Sequence, residues 1–416
     1  MTASARPGAP PSSRCWRGGA AAFALGLCAA SALAEPLTPA LPQTIERGRP
    51  PGVAIARGGD WSRTRRAELP APAEAAVLWQ RRIPGGLSGD VLVDNDGNVF
   101  VAGQGRVVQL SADGRYEFTR RAEFPSAAAS ALLSDGQRVV LGRDGALAGW
   151  SARGRATFQL ALPVPPGWAR GDVLPLPKGS ALVSAGTWLL QISARGALEG
   201  YAQLPAPVAE TLVDGDRTWI IDEPGDIFSW DGHSPAVQGG SFSGQVSAAA
   251  LRAPGLVLAL VNGNEIAQWS QADGQRSTLA KLDGLGSAAR ASVPTSAWLH
   301  VLGTSGSFFS LALDRAEDGE SAAEGRRLPP GAGELLSSPT TVVWFVANTP
   351  LTLRQQSAEQ ASSEVVCAQP LSLAPAGGQR FVAACRSGQL WLIGPAASSA
   401  GERPRQNEAG SAADLP

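Results

Sequence analysis

The sequence predicts an all-β protein: an eight-bladed β-propeller of four-stranded antiparallel blades, closed by an N-terminal strand. Three observations carry this. A glycine turn followed by an apolar strand recurs along the chain with a period of about 40 residues, the mark of a repeat architecture. Each unit holds four short apolar segments joined by turns, which is the content of one propeller blade. Glycine (49) and proline (32) are abundant in the 416 residues, a composition that suits many strands and turns better than helices.

The units are read from their turns. The copies are "GQGRVVQL", "GRDGALAGW", "SAGTWLLQI", "EPGDIFSW", "VNGNEIAQW", "TSGSFFSLAL", "NTPLTLR" and "RSGQLWLI". Their turn residues are Gly105, Gly145, Gly186, Gly225, Gly263, Gly306, Pro350 and Gly388, spaced 38 to 44 residues apart. In the first unit the four strands are "DVLVD", "NVFVAG", "RVVQLS" and "RYEFTRR", and "NDGN" and "SADG" supply the tight turns between them. The eighth unit ends at "QLWLIG" without an outer strand, while "AAVLWQRRIP" (Ala75 to Pro84) stands unpaired before the first unit. Pairing these two ends completes the last blade and removes two exposed edges.

The flanks read differently. Residues 1–34 have the form of a cleaved export signal: Arg6, Arg14 and Arg17 without an acid, then the apolar "GGAAAFALGLCAASALA" ending in Ala32-Leu33-Ala34. Leu27 stands where a lipobox needs a small residue, so lipid anchoring through Cys28 is not expected. Residues 35–72, rich in Pro, Ala and Arg, read as a flexible linker. Residues 73–394 form the propeller, and 395–416 read as a disordered tail. Export leaves two cysteines, Cys367 and Cys385, for which a disulfide is expected; two buried, unpaired thiols are the alternative.

The phrase "DGNVFVAGQGRVVQLSADGR" is similar to the repeat of the pyrroloquinoline-quinone (PQQ)-like β-propeller family, and the similarity runs loosely from Ala75 to Gly394. Eight blades, an export signal and Trp79 in the closing strand agree with it. Within that family the chain most resembles the non-enzymatic branch, that of the periplasmic propeller of outer-membrane protein assembly. The WD40 signature is absent apart from a lone "WDG" at Trp230.

Chemistry is scarce. The resemblance would imply quinone and calcium only with a Cys-Cys pair and an acidic and amide ligand cluster, neither of which can be recognised, so no cofactor is expected. "DNDGN" (Asp94 to Asn98) has carboxylates spaced for calcium, yet a hairpin turn explains it, as it does "VDGDR" (Val213 to Arg217). His233 and His300 are isolated and flank no nucleophile. Most tryptophans fall on strands, where packing between blades accounts for them. Trp168 differs, lying in the proline-rich connection "PVPPGWARGD" beside Arg170. With Arg143, it is the candidate partner-binding set on the face that carries the second-to-third-strand turns.

With a formal charge of −1 the chain has no cationic excess for nucleic acid or anionic lipid, and no membrane span is expected. The reading is an exported, periplasmic or secreted monomer that binds a protein partner as a scaffold, without catalysis. The rival is a ligand- or carbohydrate-binding propeller, extending to a hydrolase or lyase. A channel with facing Asp, Glu or Arg side chains would favour the rival, and an apolar channel with exposed loop aromatics the scaffold.

Overall fold

The computed structural model describes residues 52–56, 65, 75–162, 171–285, 290–317, 323–355 and 358–396. The strands form eight antiparallel sheets; in seven of them the four blade strands run in sequence order from the axis outward, and in the eighth an N-terminal strand takes the outer place. These are the eight blades. The sole helix among the described residues is the short Leu313–Glu317 in blade 6.

Burial explains why the strands are apolar where they are. The second strands of blades 1, 2 and 3 (Val99–Gly103, Arg138–Gly142 and Ala181–Ala185) are buried at every position, because a neighbouring blade covers each face. Strands buried on both faces read as continuous apolar runs. The outermost strand of blade 1, Tyr116–Arg121, buries only Phe118. The second-to-third-strand turns fall at the repeat markers, with φ between 60° and 96° at seven glycines. Blade 7 differs: its positive φ sits at Asn348 (61°), and Pro350 opens the third strand, Pro350–Gln355. Asparagine tolerates this conformation through its short polar side chain.

The recurring Ser-Ala-x-Gly phrase joins one blade to the next. In "SADGR", Ser111 Oγ accepts from the Arg115 N–H (3.1 Å) and Gly114 N–H donates to the Ser111 carbonyl (2.8 Å). Ser151 and Ser193 repeat both contacts. The glycine seats an aromatic ring from the outer strand of the preceding blade. A Cβ on Gly114, Gly154 or Gly196 would lie 2.6–2.9 Å from Trp79, Phe118 or Phe158. Arg81 Nε and Arg120 Nε then donate to the Gly114 and Gly154 carbonyls at 2.6 and 3.0 Å.

That pattern identifies Ala75–Arg82 as the outer strand of blade 8. It pairs with Gln389–Pro395, and its Trp79 meets blade 1 as Phe118 of blade 1 meets blade 2. Trp79 Nε1 also donates to the Ala112 carbonyl at 3.0 Å. The ring is closed as the sequence predicts. Cys367 and Cys385 are disulfide-bonded, linking the residues before the first strand of blade 8 (Pro370–Gly377) to the end of its second (Arg380–Cys385). A crosslink over 18 positions contributes about 3 kcal/mol in chain-entropy terms.

One finding departs from the sequence reading. Within the segment expected to be a flexible linker, Gly52–Ala54 form a strand on the axial edge of blade 1, antiparallel to Leu92–Asp94. Ala54, Ile55 and Ala56 are each no more than 3% exposed. They join three different interblade cores: Ala54 that of blades 8 and 1, Ile55 that of blades 1 and 2, and Ala56 that of blades 3 and 4. The first strand of blade 1 is only three residues long, and the added strand covers its unpaired backbone groups.

Candidate functional site

First strands line the axis, so their side chains set the chemistry of the channel. A cavity of about 730 Å³ opens there, and its lining includes Arg143, Asn262, Asn264 and Arg386 from second-to-third-strand turns. Its acids are Asp90, Asp172, Glu210 and Glu334, and its arginines Arg65, Arg143, Arg290 and Arg386. By the criterion set out above, this polarity is what a ligand site would show.

Several of these charges have defined partners. Glu334, at the start of the first strand of blade 7 (Gly333–Ser337), accepts from Arg65 Nη1 at 2.8 Å and from Arg290 Nε at 3.0 Å. The Glu334 and Arg65 side chains are 6% and 11% exposed, so little water competes for the pair. Arg65 has φ 52°, an unfavourable backbone state for a residue with a Cβ. Its carbonyl accepts from Ser292 Oγ and the Ser337 N–H, both at 3.1 Å, and the two serine hydroxyls share a 2.6 Å hydrogen bond. Asp172 accepts from the Val173 N–H (2.9 Å) and Thr211 (3.5 Å), and Asp90 from the Ser130 N–H (3.4 Å). Carboxylates held this way serve as anchors for neighbouring blades. Arg143 and Arg386, in contrast, are exposed at the turns.

The candidates named from sequence separate. Arg143 lies at the cavity; Trp168 and Arg170 lie outside the described residues. "DNDGN" is a hairpin turn: Asp94 Oδ1 accepts from the Asp96 and Asn98 N–H groups at 3.0 and 2.9 Å. Asp94 Oδ2 pairs with Arg138 of blade 2 at 2.9 Å, with side chains 15% and 3% exposed. Burial pushes the Arg138 guanidinium below its ordinary value, and the Asp94 charge opposes this. In "VDGDR", Asp214 accepts from the Gly255 N–H of the next blade at 2.7 Å. Among the described residues no three His, Cys, Asp or Glu side chains gather as a metal site.

Seven tryptophans on strands (Trp79, Trp150, Trp219, Trp230, Trp269, Trp344 and Trp391) are buried, and Trp219 meets Trp269 edge-on at 5.2 Å across blades 4 and 5. Trp298 is 40% exposed, although its strand position suggested packing. The residues that sequence reasoning missed are Arg65, Asp90, Arg290 and Glu334. A signal for the last pair existed: Arg290 and Glu334 are 44 positions apart, one blade period, as are Asp94 and Arg138.

His300 is stacked between Trp298 (6.4 Å) and Phe308 (6.0 Å), with Nδ1 2.9 Å from Ser310 Oγ. Burial, and then the Arg354 charge, lower its pKa to about 4. The imidazole is neutral near pH 7, away from the cavity lining. An unfolded histidine binds protons more readily, so stability falls as pH drops from about 6.5 towards 4, by about 3 kcal/mol at the acid end. Urea unfolding at pH 7 and pH 4.5 should show a smaller difference in H300Q than in the parent. An identical difference in both proteins would contradict the assignment.

No protein-family model matches the chain, and no curated protein matches it in sequence. Solved structures do match in shape. BamB from Moraxella catarrhalis superposes with TM-score 0.60 at 13% identity, covering 79% of this chain and 99% of that one. The computationally designed Ika8 protein gives 0.59 at 13% identity, with 79% and 99% covered. Saccharomyces cerevisiae Sqt1 gives 0.59 at 12% identity, with 78% and 100% covered. At these identities the likeness is one of fold. No described helix is long and apolar enough to cross a membrane.

Proposed function

We propose that the chain is an exported, non-catalytic propeller that serves as a protein-binding scaffold in the cell envelope, using the face of the second-to-third-strand turns. The observation that carries this reading is the division of charge around the axis. Glu334, Asp90 and Asp172 are engaged with neighbouring blades, while Arg143 and Arg386 project from turns at the mouth. Exposed arginines are frequent interface anchors. The resemblance of the repeat to the non-enzymatic PQQ-like branch and the fold shared with BamB support the scaffold. The Cys367–Cys385 disulfide suits an oxidising compartment.

The test is crosslinking capture from envelope extracts with a W168A/R170A/R143A variant. Recovery of the partner should fall at least about tenfold, since each such anchor is worth about 2 kcal/mol at a desolvated contact, with the melting temperature nearly unchanged. Equal recovery would sink the proposed face. The polar cavity favours a second reading, a small-ligand or sugar site. A library sugar that raises the melting temperature of the parent, and not of R143A, would move the assignment there.

A further inference from the structure

The axial channel is already occupied by a piece of this chain that belongs to no four-stranded blade. We infer that the channel is a peptide-binding groove, which the chain fills with its own Gly52–Ala56 and Arg65. The external ligand it takes is an extended protein segment of small and branched apolar residues followed by an arginine. This deepens the scaffold reading and rests on it, by naming the chemistry of a partner segment at the axis.

The contacts are those by which proteins recognise extended peptides. Gly52–Ala54 add an antiparallel strand to the edge of Leu92–Asp94, the mode in which backbone hydrogen bonds supply affinity and side-chain pockets supply selectivity. The Ile55 carbonyl continues the pattern, accepting from the Leu132 N–H of blade 2 at 2.8 Å. Ile55 is 1% exposed and packs in a pocket with Leu92, Phe100 and Leu132. Ala54 and Ala56 are buried in the cores between blades 8 and 1 and between blades 3 and 4.

Across the axis, the pocket for the arginine is built from two blades. Glu334 of blade 7 takes its guanidinium and Ser292 and Ser337 take its carbonyl. Departure of Arg65 would take from the buried Glu334 carboxylate a cation held at 2.8 Å, so the groove favours a replacement that brings its own cation. The positive φ of Arg65 (52°) raises the energy of the resident segment. A competing segment with relaxed backbone at that point gains by the difference.

The experiment uses the full chain with a protease site inserted between Ala67 and Glu74 and a fluorophore at the N-terminus. The folded protein is cleaved and passed over a gel-filtration column. The labelled N-terminal piece should remain with the propeller. An excess of a synthetic peptide with the sequence of residues 50–67 should release it, and the same peptide carrying I55D and R65A should be at least tenfold weaker as a competitor. E334Q in the protein should release the label faster than the parent does. Unfolding on cleavage, or a label that never exchanges, would make the segment a fixed part of the fold and overturn the inference. Loss of the label at cleavage, or equal competition by the doubly substituted peptide, would overturn it as well. None of these outcomes depends on the Trp168, Arg170 and Arg143 face, so the two proposals fail separately.

Discussion

Deletion of Ala75–Arg82 should abolish cooperative unfolding of the propeller or lower its melting temperature by well over 10 °C. The deletion removes the outer strand of blade 8 and leaves Gln389–Pro395 as an open edge. It also removes Trp79, 9% exposed against Gly114, and the Arg81 and Gln360 hydrogen bonds that tie the strand to blades 1 and 7. W79A isolates the first of these effects. Truncating a buried aromatic typically costs roughly 3–5 kcal/mol, and W298A, at an indole that is 40% exposed, serves as the control. Thermal and urea unfolding of the three proteins decide the matter. Parent-like melting of the deletion would show that the ring does not depend on its closure.

The second large effect is expected at Asp94. D94A leaves the Arg138 guanidinium, 3% exposed, without the carboxylate that neutralises it, and breaking one side of a buried pair costs roughly 3–5 kcal/mol. It also frees the Asp96 and Asn98 N–H groups that shape the turn. R138M alone removes the buried charge and should be milder. The double variant D94A/R138M should be more stable than D94A, because no buried cation remains. Urea unfolding of all three measures this. A D94A loss below about 1 kcal/mol, the range of surface pairs, would show that the pair is solvated.

The architecture was legible because each blade repeats its turns. Gly105, Gly145 and Gly388 mark the same corner of successive units, and the missing outer strand of the eighth unit pointed to Ala75–Arg82. The disulfide followed from two cysteines flanking one hairpin. Gly52–Ala54 escaped notice for a physical reason. A three-residue strand has no room for a period, and prolines precede it, so its conformation is imposed by the edge of blade 1 and the channel. Arg65 carries no local signal either, since its partners Ser292, Glu334 and Ser337 are brought to it only by ring closure. Opposite charges one blade period apart, as in Asp94 with Arg138, were readable in principle. Neighbouring blades are stacked copies, so equal positions in successive units become neighbours in space.

Blade 8 draws its strands from both ends of the propeller, and this dictates an order of events during synthesis. Ala75–Arg82 leaves the ribosome before every other blade strand, while its pairing partner Gln389–Pro395 comes last. The earliest strand must therefore wait, unpaired and aggregation-prone, until the chain is nearly complete. Contacts of such long sequence separation are slow to form. The Cys367–Cys385 bond draws only on residues made late, so oxidation can fix the C-terminal hairpin before closure. A disulfide-bonded three-stranded sheet is then ready when the waiting strand arrives, and the final folding step becomes the docking of one strand onto a preformed edge.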